Sequence, residues 1–249
     1  TSIGNVVWGI QTSVTHDGVD ATRSGAINNS DGSVLTTTVS GPGVLTFWWK
    51  VSSETNFDFA RFYLDSFESA PAISGEVNWQ QLTFNLSAGP HTLAWAYVKD
   101  GSLSTGSDAA WLDQVTFTPS LVSTTNDSGP GSLREVVANL PPDYTITFGA
   151  NLSGKTIALT NGQITLSNHI AMDASALAGG LKISGNNASR VFMINPGVTS
   201  VLSGLTITGG NGAGAAPVAN DGGAIFNQGN LTLSNCLVVA NNGFVGGGI

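Results

Sequence analysis

In several stretches of the first half of the chain, apolar residues fall at every second position. Leu45, Phe47, Trp49 and Val51 share one face of their segment, and Thr46, Trp48 and Lys50 share the other. Leu82, Phe84 and Leu86 alternate with Gln81, Thr83 and Asn85, while Leu93, Trp95 and Tyr97 share a face within residues 91–98. A period of two belongs to a strand buried on one side. Turn formers separate these runs, among them Gly41-Pro42-Gly43 and Ala88-Gly89-Pro90. Such strands and turns, with no helix-period stretch between them, predict an antiparallel β-sandwich.

The second half is patterned differently. All six tryptophans lie before residue 112, and short Thr/Ile/Leu segments with Gly and Asn corners follow residue 120. Pro119 lies at the change, which divides the chain into domains 1–119 and 120–249. One helix is predicted over 131–140. Leu133, Val136, Val137 and Leu140 form its apolar stripe, Ser132 and Glu135 form a capping box, and Pro141-Pro142 ends it. Strands are then predicted at 145–148, 155–160, 163–167, 170–173, 181–184, 191–195, 201–207, 224–227, 231–234 and 237–240. Several are too short for a hairpin sheet and suit the faces of a parallel coil, whose first open end the helix would cap.

A repeat supports the coil. Leu205 and Ile207 of 203–211 match Cys236 and Val238 of 234–242, and glycine pairs follow at Gly222-Gly223 and Gly247-Gly248. Ser203 and Ser234 are 31 residues apart, Gly222 and Gly246 only 24, which places a variable loop at 213–220. A fixed strand core with a variable loop is the signature of a solenoid. The last coil is left open beyond Ile225, Leu233 and Val238, so further coils, or self-association through that end, are expected.

Composition narrows the class. Hydrophobic residues make up 41% and charged residues only 10%, with 32 glycines, against a usual charged fraction near a quarter. This suits an extracellular all-β protein rather than a cytosolic helical one. Residues 1–119 hold eleven acids and four bases, and the remainder five acids and four bases. Neither half has the basic patch that nucleic acid requires. No apolar run reaches the ~18 residues of a membrane span. Cys236 is the single cysteine, so no intrachain disulfide forms, which favours a bacterial surface. Its match to Leu205 marks it as a small buried apolar residue.

The phrase Gly222-Gly223-Ala224-Ile225-Phe226-Asn227, with Gly229–Cys236 after it, resembles the Gly-Gly-Ala-Ile repeats of chlamydial polymorphic outer-membrane proteins. It also resembles the wider set of right-handed, pectate-lyase-like β-helices of bacterial surfaces. Ser132-Leu133-Arg134-Glu135-Val136 is similar to the segment that opens such helices. Phe47–Glu54, Tyr97–Asp100 and Ala110–Val115 resemble a jelly-roll module of large secreted bacterial proteins, distantly like MAM and gingipain-adhesin domains. The resemblances imply a jelly-roll sandwich followed by the start of a right-handed parallel β-helix. They also imply a surface or binding role without catalytic residues.

Two groups of candidate residues stand out in the first half. By alternation Asp113 shares a face with Trp111, Val115 and Phe117. An ionised carboxylate facing a core is costly unless it is paired, hydrogen-bonded or metal-bound. One arrangement is structural calcium, with Asp100, Asp108, Asp17 and Asp20 completing the oxygen shell where the first and last strands neighbour each other. Related jelly rolls often hold calcium near this corner. In the other arrangement Asp113 accepts backbone N–H groups and the other four acids are solvated. The second group is Trp48 and Trp79, which either stack on a glycan or are covered by a loop or the second domain. Trp95 belongs to the core.

No catalytic constellation is visible. After residue 143 the only acids, bases and histidines are Asp173, Asp221, Lys155, Lys182, Arg190 and His169, scattered and with no paired acids. His16 and His91 have no Ser or Cys triad beside them in sequence. The Gly-rich run at 209–214 lacks the Lys-Ser/Thr and helix of a phosphate loop. The reading is a non-enzymatic segment of an exported bacterial surface or extracellular protein, structural or adhesive, whose partner is a glycan or another surface protein. The alternative is a carbohydrate-binding segment of a larger polysaccharide-degrading enzyme with its active site beyond residue 249.

Overall fold

The computed structural model describes residues 2–4, 7–213 and 221–249. The variable loop expected at 213–220 therefore lies, from residue 214 on, outside the described residues. The chain divides into two compact units, Thr1–Thr118 and Pro119–Ile249. No helix among the described residues is long and apolar enough to cross a membrane.

The first unit is an antiparallel sandwich with nine strands among the described residues: β1 (Ser2–Gly4), β2 (Gly9–Gln11), β3 (Ala21–Arg23), β4 (Gly32–Ser52), β5 (Phe59–Leu64), β6 (Phe67–Glu68), β7 (Ile73–Ser74), β8 (Glu76–Val98) and β9 (Ala109–Pro119). The main path runs β2-β3-β9-β4-β8-β5-β6. Its spine is the long ribbon of β4 and β8, paired from Gly32↔Val98 to Ser52↔Glu76 with register shifts at Gly41/Gly43 and Trp49/Val51. The alternating faces meet as the period-two pattern requires. Leu45, Phe47, Trp49 and Val51 join Phe62, Leu93, Trp95 and Tyr97 in one core cluster.

Strand β9 departs from simple alternation. Ala110 and Leu112 belong to the core cluster, so Trp111 and Asp113 lie on the opposite side of the strand, where both are nonetheless buried. Gln114 has φ +47°, a left-handed kink that shifts the alternation. Val115 is consequently 44% exposed, whereas Phe117 returns to the core side. The common face expected for Asp113, Val115 and Phe117 does not form.

The second unit is a parallel β-solenoid of about four turns. Its elements are β10 (Leu121–Val122), α1 (Leu133–Asn139), β11 (Tyr144–Phe148), a 3-10 turn (Ala150–Leu152), β12 (Thr156–Ala158), β13 (Ile164–Leu166), β14 (Ile170–Asp173), β15 (Leu181–Ser184), β16 (Phe192–Ile194), β17 (Thr199–Ser203), β18 (Leu205–Thr208), β19 (Ile225–Asn227), β20 (Asn230–Ser234) and β21 (Leu237–Val239). Three parallel sheets form, β10-β11-β14-β17-β20, β12-β15-β18-β21 and β13-β16-β19. Inward residues stack in register: Ile146, Met172, Leu202 and Leu233 on one face, and Ile157, Ile183, Ile207 and Val238 on the next. Ser203↔Ser234 and Ile207↔Val238 pair as the repeat demands.

Helix α1 begins at Ser132, whose Oγ accepts the Glu135 N–H. Glu135 Oε2 reaches back to the N–H of Gly131, one residue before the cap. Leu133, Val136 and Val137 are buried. The single strand expected over 201–207 is two, broken at Gly204. There φ is +69° and a Cβ would lie 2.7 Å from the Ser175 nitrogen, so only glycine turns this corner. The last coil is partly open. Leu233 and Val238 are half-buried, and so is Cys236, expected to be buried. Phe244 is 90% exposed. Ile225, expected at the open end, is fully buried, because its N–H donates to Gly248 and the terminal segment lies over it.

Candidate functional site

Three polar groupings in the first unit carry chemistry. The first lies on the side of β4 opposite the core. His16 stacks on Trp48 with ring centroids 3.7 Å apart and meets Trp79 edge-on at 5.9 Å. His16 Nδ1 is 2.8 Å from Gln114 Oε1. Trp48 and Trp79 are both half-buried. The His16 ring thus lies over one face of Trp48.

The same segment explains Asp113. Its Oδ2 accepts the His16 N–H at 2.6 Å, and its Oδ1 accepts the Gln114 N–H at 2.7 Å. The last strand of the unit, β9, has β3 as its neighbour through Thr22↔Leu112, whereas the first strand, β1, pairs with β4. The five expected acids do not converge. Asp17 Oδ1 accepts the Val19 N–H in an exposed turn, and Asp20 is exposed. Asp108 accepts from Lys99 Nζ and from the Tyr97 hydroxyl. Burial works to raise the Asp108 carboxyl, but Lys99 and Tyr97 outweigh it and hold the group below the usual value.

Asp100 instead meets two acids that the sequence did not single out. One carboxylate oxygen from each of Glu54, Asp58 and Asp100 lies within 4.8 Å of the others. Glu54 and Asp58 stand on the turn between β4 and β5. There the Glu54 carbonyl accepts the Asp58 N–H, the Ser53 hydroxyl donates to the Asp58 carbonyl, and Asn56 adopts φ +68°. Asp100 follows the end of β8, and its N–H donates to Asp58 Oδ1 at 3.0 Å.

The third grouping resembles a catalytic triad that the linear sequence hides. His91 Nδ1 donates to Asp65 Oδ2 at 2.7 Å, and Ser87 Oγ is 3.4 Å from Nε2. Nε2, however, faces the Ser87 carbonyl oxygen at 2.9 Å. A carbonyl only accepts, so Nε2 carries a proton and has no lone pair for the Ser87 hydroxyl. The arrangement is a clamp on a turn. The bond to Asp65 chiefly raises the His91 value, and the same bond chiefly lowers that of Asp65.

The sign of the pH dependence follows. A raised histidine stabilises fully below its unfolded value of about 6.5 and loses that contribution as pH climbs through the folded value. Asp65, being lowered, contributes above its unfolded value of about 3.9 and fails as pH drops through its folded value. The thermal midpoint of the first unit is therefore expected to fall on the alkaline side of His91's titration. In His91→Gln that slope should vanish. A histidine resonance titrating at the ordinary value, with no slope to lose, would contradict the clamp.

No protein-family model and no curated protein matches the sequence. Similar solved structures include the secreted serine protease VesC from Vibrio cholerae, at 16% identity and TM-score 0.39 over 47% of this chain and 24% of VesC. The K3 adhesin domain of Lys-gingipain from Porphyromonas gingivalis is similar at 17% identity and TM-score 0.36, over 48% of this chain and 90% of that domain. The CBM22-1 xylan-binding domain from Paenibacillus barcinonensis Xyn10C is similar at 13% identity and TM-score 0.33, over 47% of this chain and 83% of that one.

Proposed function

We propose that the chain is a non-enzymatic segment of an exported bacterial protein of the cell surface or extracellular space, with a structural or adhesive role. The observation that carries this reading is how the solenoid uses Asp127, Arg134, Asp173 and Arg190. A polysaccharide lyase or hydrolase needs a base and an acid free to face a sugar. Here Asp127 accepts from Thr160, Asn161 and Arg134, and Asp173 closes a turn at Ser175. Arg190, fully buried, donates to Asp221 O and Gln163 Oε1 and lies 4.8 Å from the Phe226 ring. Asp127, Arg134 and Arg190 join successive coils, and Asp173 fixes its own corner.

The aromatic group of His16, Trp48 and Trp79 favours the second reading, a carbohydrate-binding segment of a larger polysaccharide-degrading enzyme. His16 lies over one face of Trp48, but the half-buried Trp79 meets His16 only edge-on, and such a ring suits stacking on a sugar. One experiment separates the readings. The chain is incubated with pectin, alginate and xylan, and both product release and retardation in polymer-loaded gels are measured. No product is expected; turnover abolished by a point substitution within the chain would overturn the non-enzymatic reading. Retardation by one polymer that Trp79→Ala removes selects the carbohydrate-binding reading.

A further inference from the structure

We propose that Glu54, Asp58 and Asp100 form a calcium site that ties the β4–β5 turn to the exit of β8. The inference is independent of the functional reading above. It begins from Asp58, which is 0% exposed. Its Oδ1 holds the Asp100 N–H, but its Oδ2 is buried without a hydrogen-bond partner, and so is Glu54 Oε2. The nearest cation does not fill the gap. Lys99 Nζ is 3.9 Å from Asp58 Oδ2, beyond hydrogen-bond reach, and is already held by Ser104 and Asp108.

Two buried acceptor oxygens facing a third carboxylate is an expensive arrangement. Burial pushes the Glu54 carboxyl up, and the charges on Asp100 and Asp58 push it further. Burial likewise raises Asp58, against the Asp100 N–H and Lys99. A cation removes both penalties, because it supplies the missing partner and cancels the repulsion. The donor set suits calcium. Three carboxylate oxygens within 4.8 Å of one another can gather on one cation at the roughly 2.3–2.6 Å of calcium–oxygen bonds, in calcium's flexible geometry. Magnesium demands strict octahedral geometry and gives up its waters reluctantly, so it is held less well by such a set. Glu54 and Asp100 are half-exposed, which leaves an entry path and room for water ligands.

The test uses the whole 249-residue chain, stripped with chelator and melted with added calcium or magnesium. Tryptophan fluorescence follows the first unit, where all six tryptophans lie. At a hundredfold excess of calcium over its dissociation constant, the midpoint is expected to rise by about 5–15 °C. Glu54→Gln and Asp58→Asn should each abolish that rise, and Glu54→Gln, at a half-exposed position, keeps the test open if Asp58→Asn fails to fold. Asp113→Asn should leave the rise intact. An unchanged midpoint with calcium, an equal rise with magnesium, or a calcium effect lost in Asp113→Asn but kept in Glu54→Gln would each overturn the assignment.

Discussion

Asp127→Ala is expected to destabilise the solenoid by about 3 kcal/mol. Asp127 Oδ2 accepts the N–H groups of Thr160 and Asn161 at 2.8 and 2.7 Å, and Oδ1 accepts two guanidinium bonds from Arg134. Arg134 also donates to the carbonyls of Gly162 and Gln163. One carboxylate thus joins α1 to the corner between β12 and β13. Its removal strands two backbone donors and a partly buried cation. Burial pushes the carboxyl up, but the Asn161 and Thr160 N–H groups and Arg134 outweigh it and hold it below the usual value. The contribution is therefore present above the unfolded value of about 3.9 and is lost as pH falls through the folded value. Thermal melts followed by circular dichroism should show wild type and Asp127→Ala converging in acid and separating near neutrality. A constant gap between them would count against this account.

Where a side chain's neighbours lie nearby or recur by rule, the sequence foretold the structure. Leu45, Phe47, Trp49 and Val51 share the buried face because a strand has only two faces and one is covered. Ser132 and Glu135 start α1 because the capping bonds span one turn. Ser203 pairs with Ser234 because a solenoid places repeats in register. Failures occurred at positive φ. Gln114 and Gly204 adopt +47° and +69°, and nothing in the alternation around them announces that a face switches or a strand ends.

The candidate chemistry was less legible, for a reason of chain geometry. Glu54 and Asp58 come from one turn, while Asp100 arrives only after β8 has crossed the sandwich. Asp58 sits in the plain pattern Asn56-Phe57-Asp58-Phe59, and its burial depends on strands far along the chain. Alternation put Asp113 on one face with Trp111, Val115 and Phe117, yet its partner is the backbone of His16, 97 positions away. His91 finds Asp65 across 26 positions, through a strand pairing that spacing does not encode. A signal did exist for Glu54 and Asp58: two acids four residues apart, flanked by Ser53 and Asn56, in a turn between strands.

Phe47→Ala should cost the first unit about 3–5 kcal/mol, a large fraction of the roughly 5–15 kcal/mol that holds a domain folded. Phe47 is fully buried at the meeting of four rings. Its centroid is 4.8 Å from Phe62, 5.3 Å from Trp95, 6.0 Å from Phe84 and 6.1 Å from Trp49. The Trp95 and Trp49 contacts are edge-on, the geometry in which aromatic pairs add to simple burial. Those neighbours come from both halves of the β4–β8 ribbon and from β5, so the cavity opens where the two layers meet and cannot close by moving one strand. The tryptophan-fluorescence midpoint should fall by roughly 10–20 °C. Thr83→Ala, on the exposed side of β8, should remain within about 0.5 kcal/mol of wild type. Comparable losses at Phe47 and Thr83 would mean that the ring cluster is not the centre of the sandwich core.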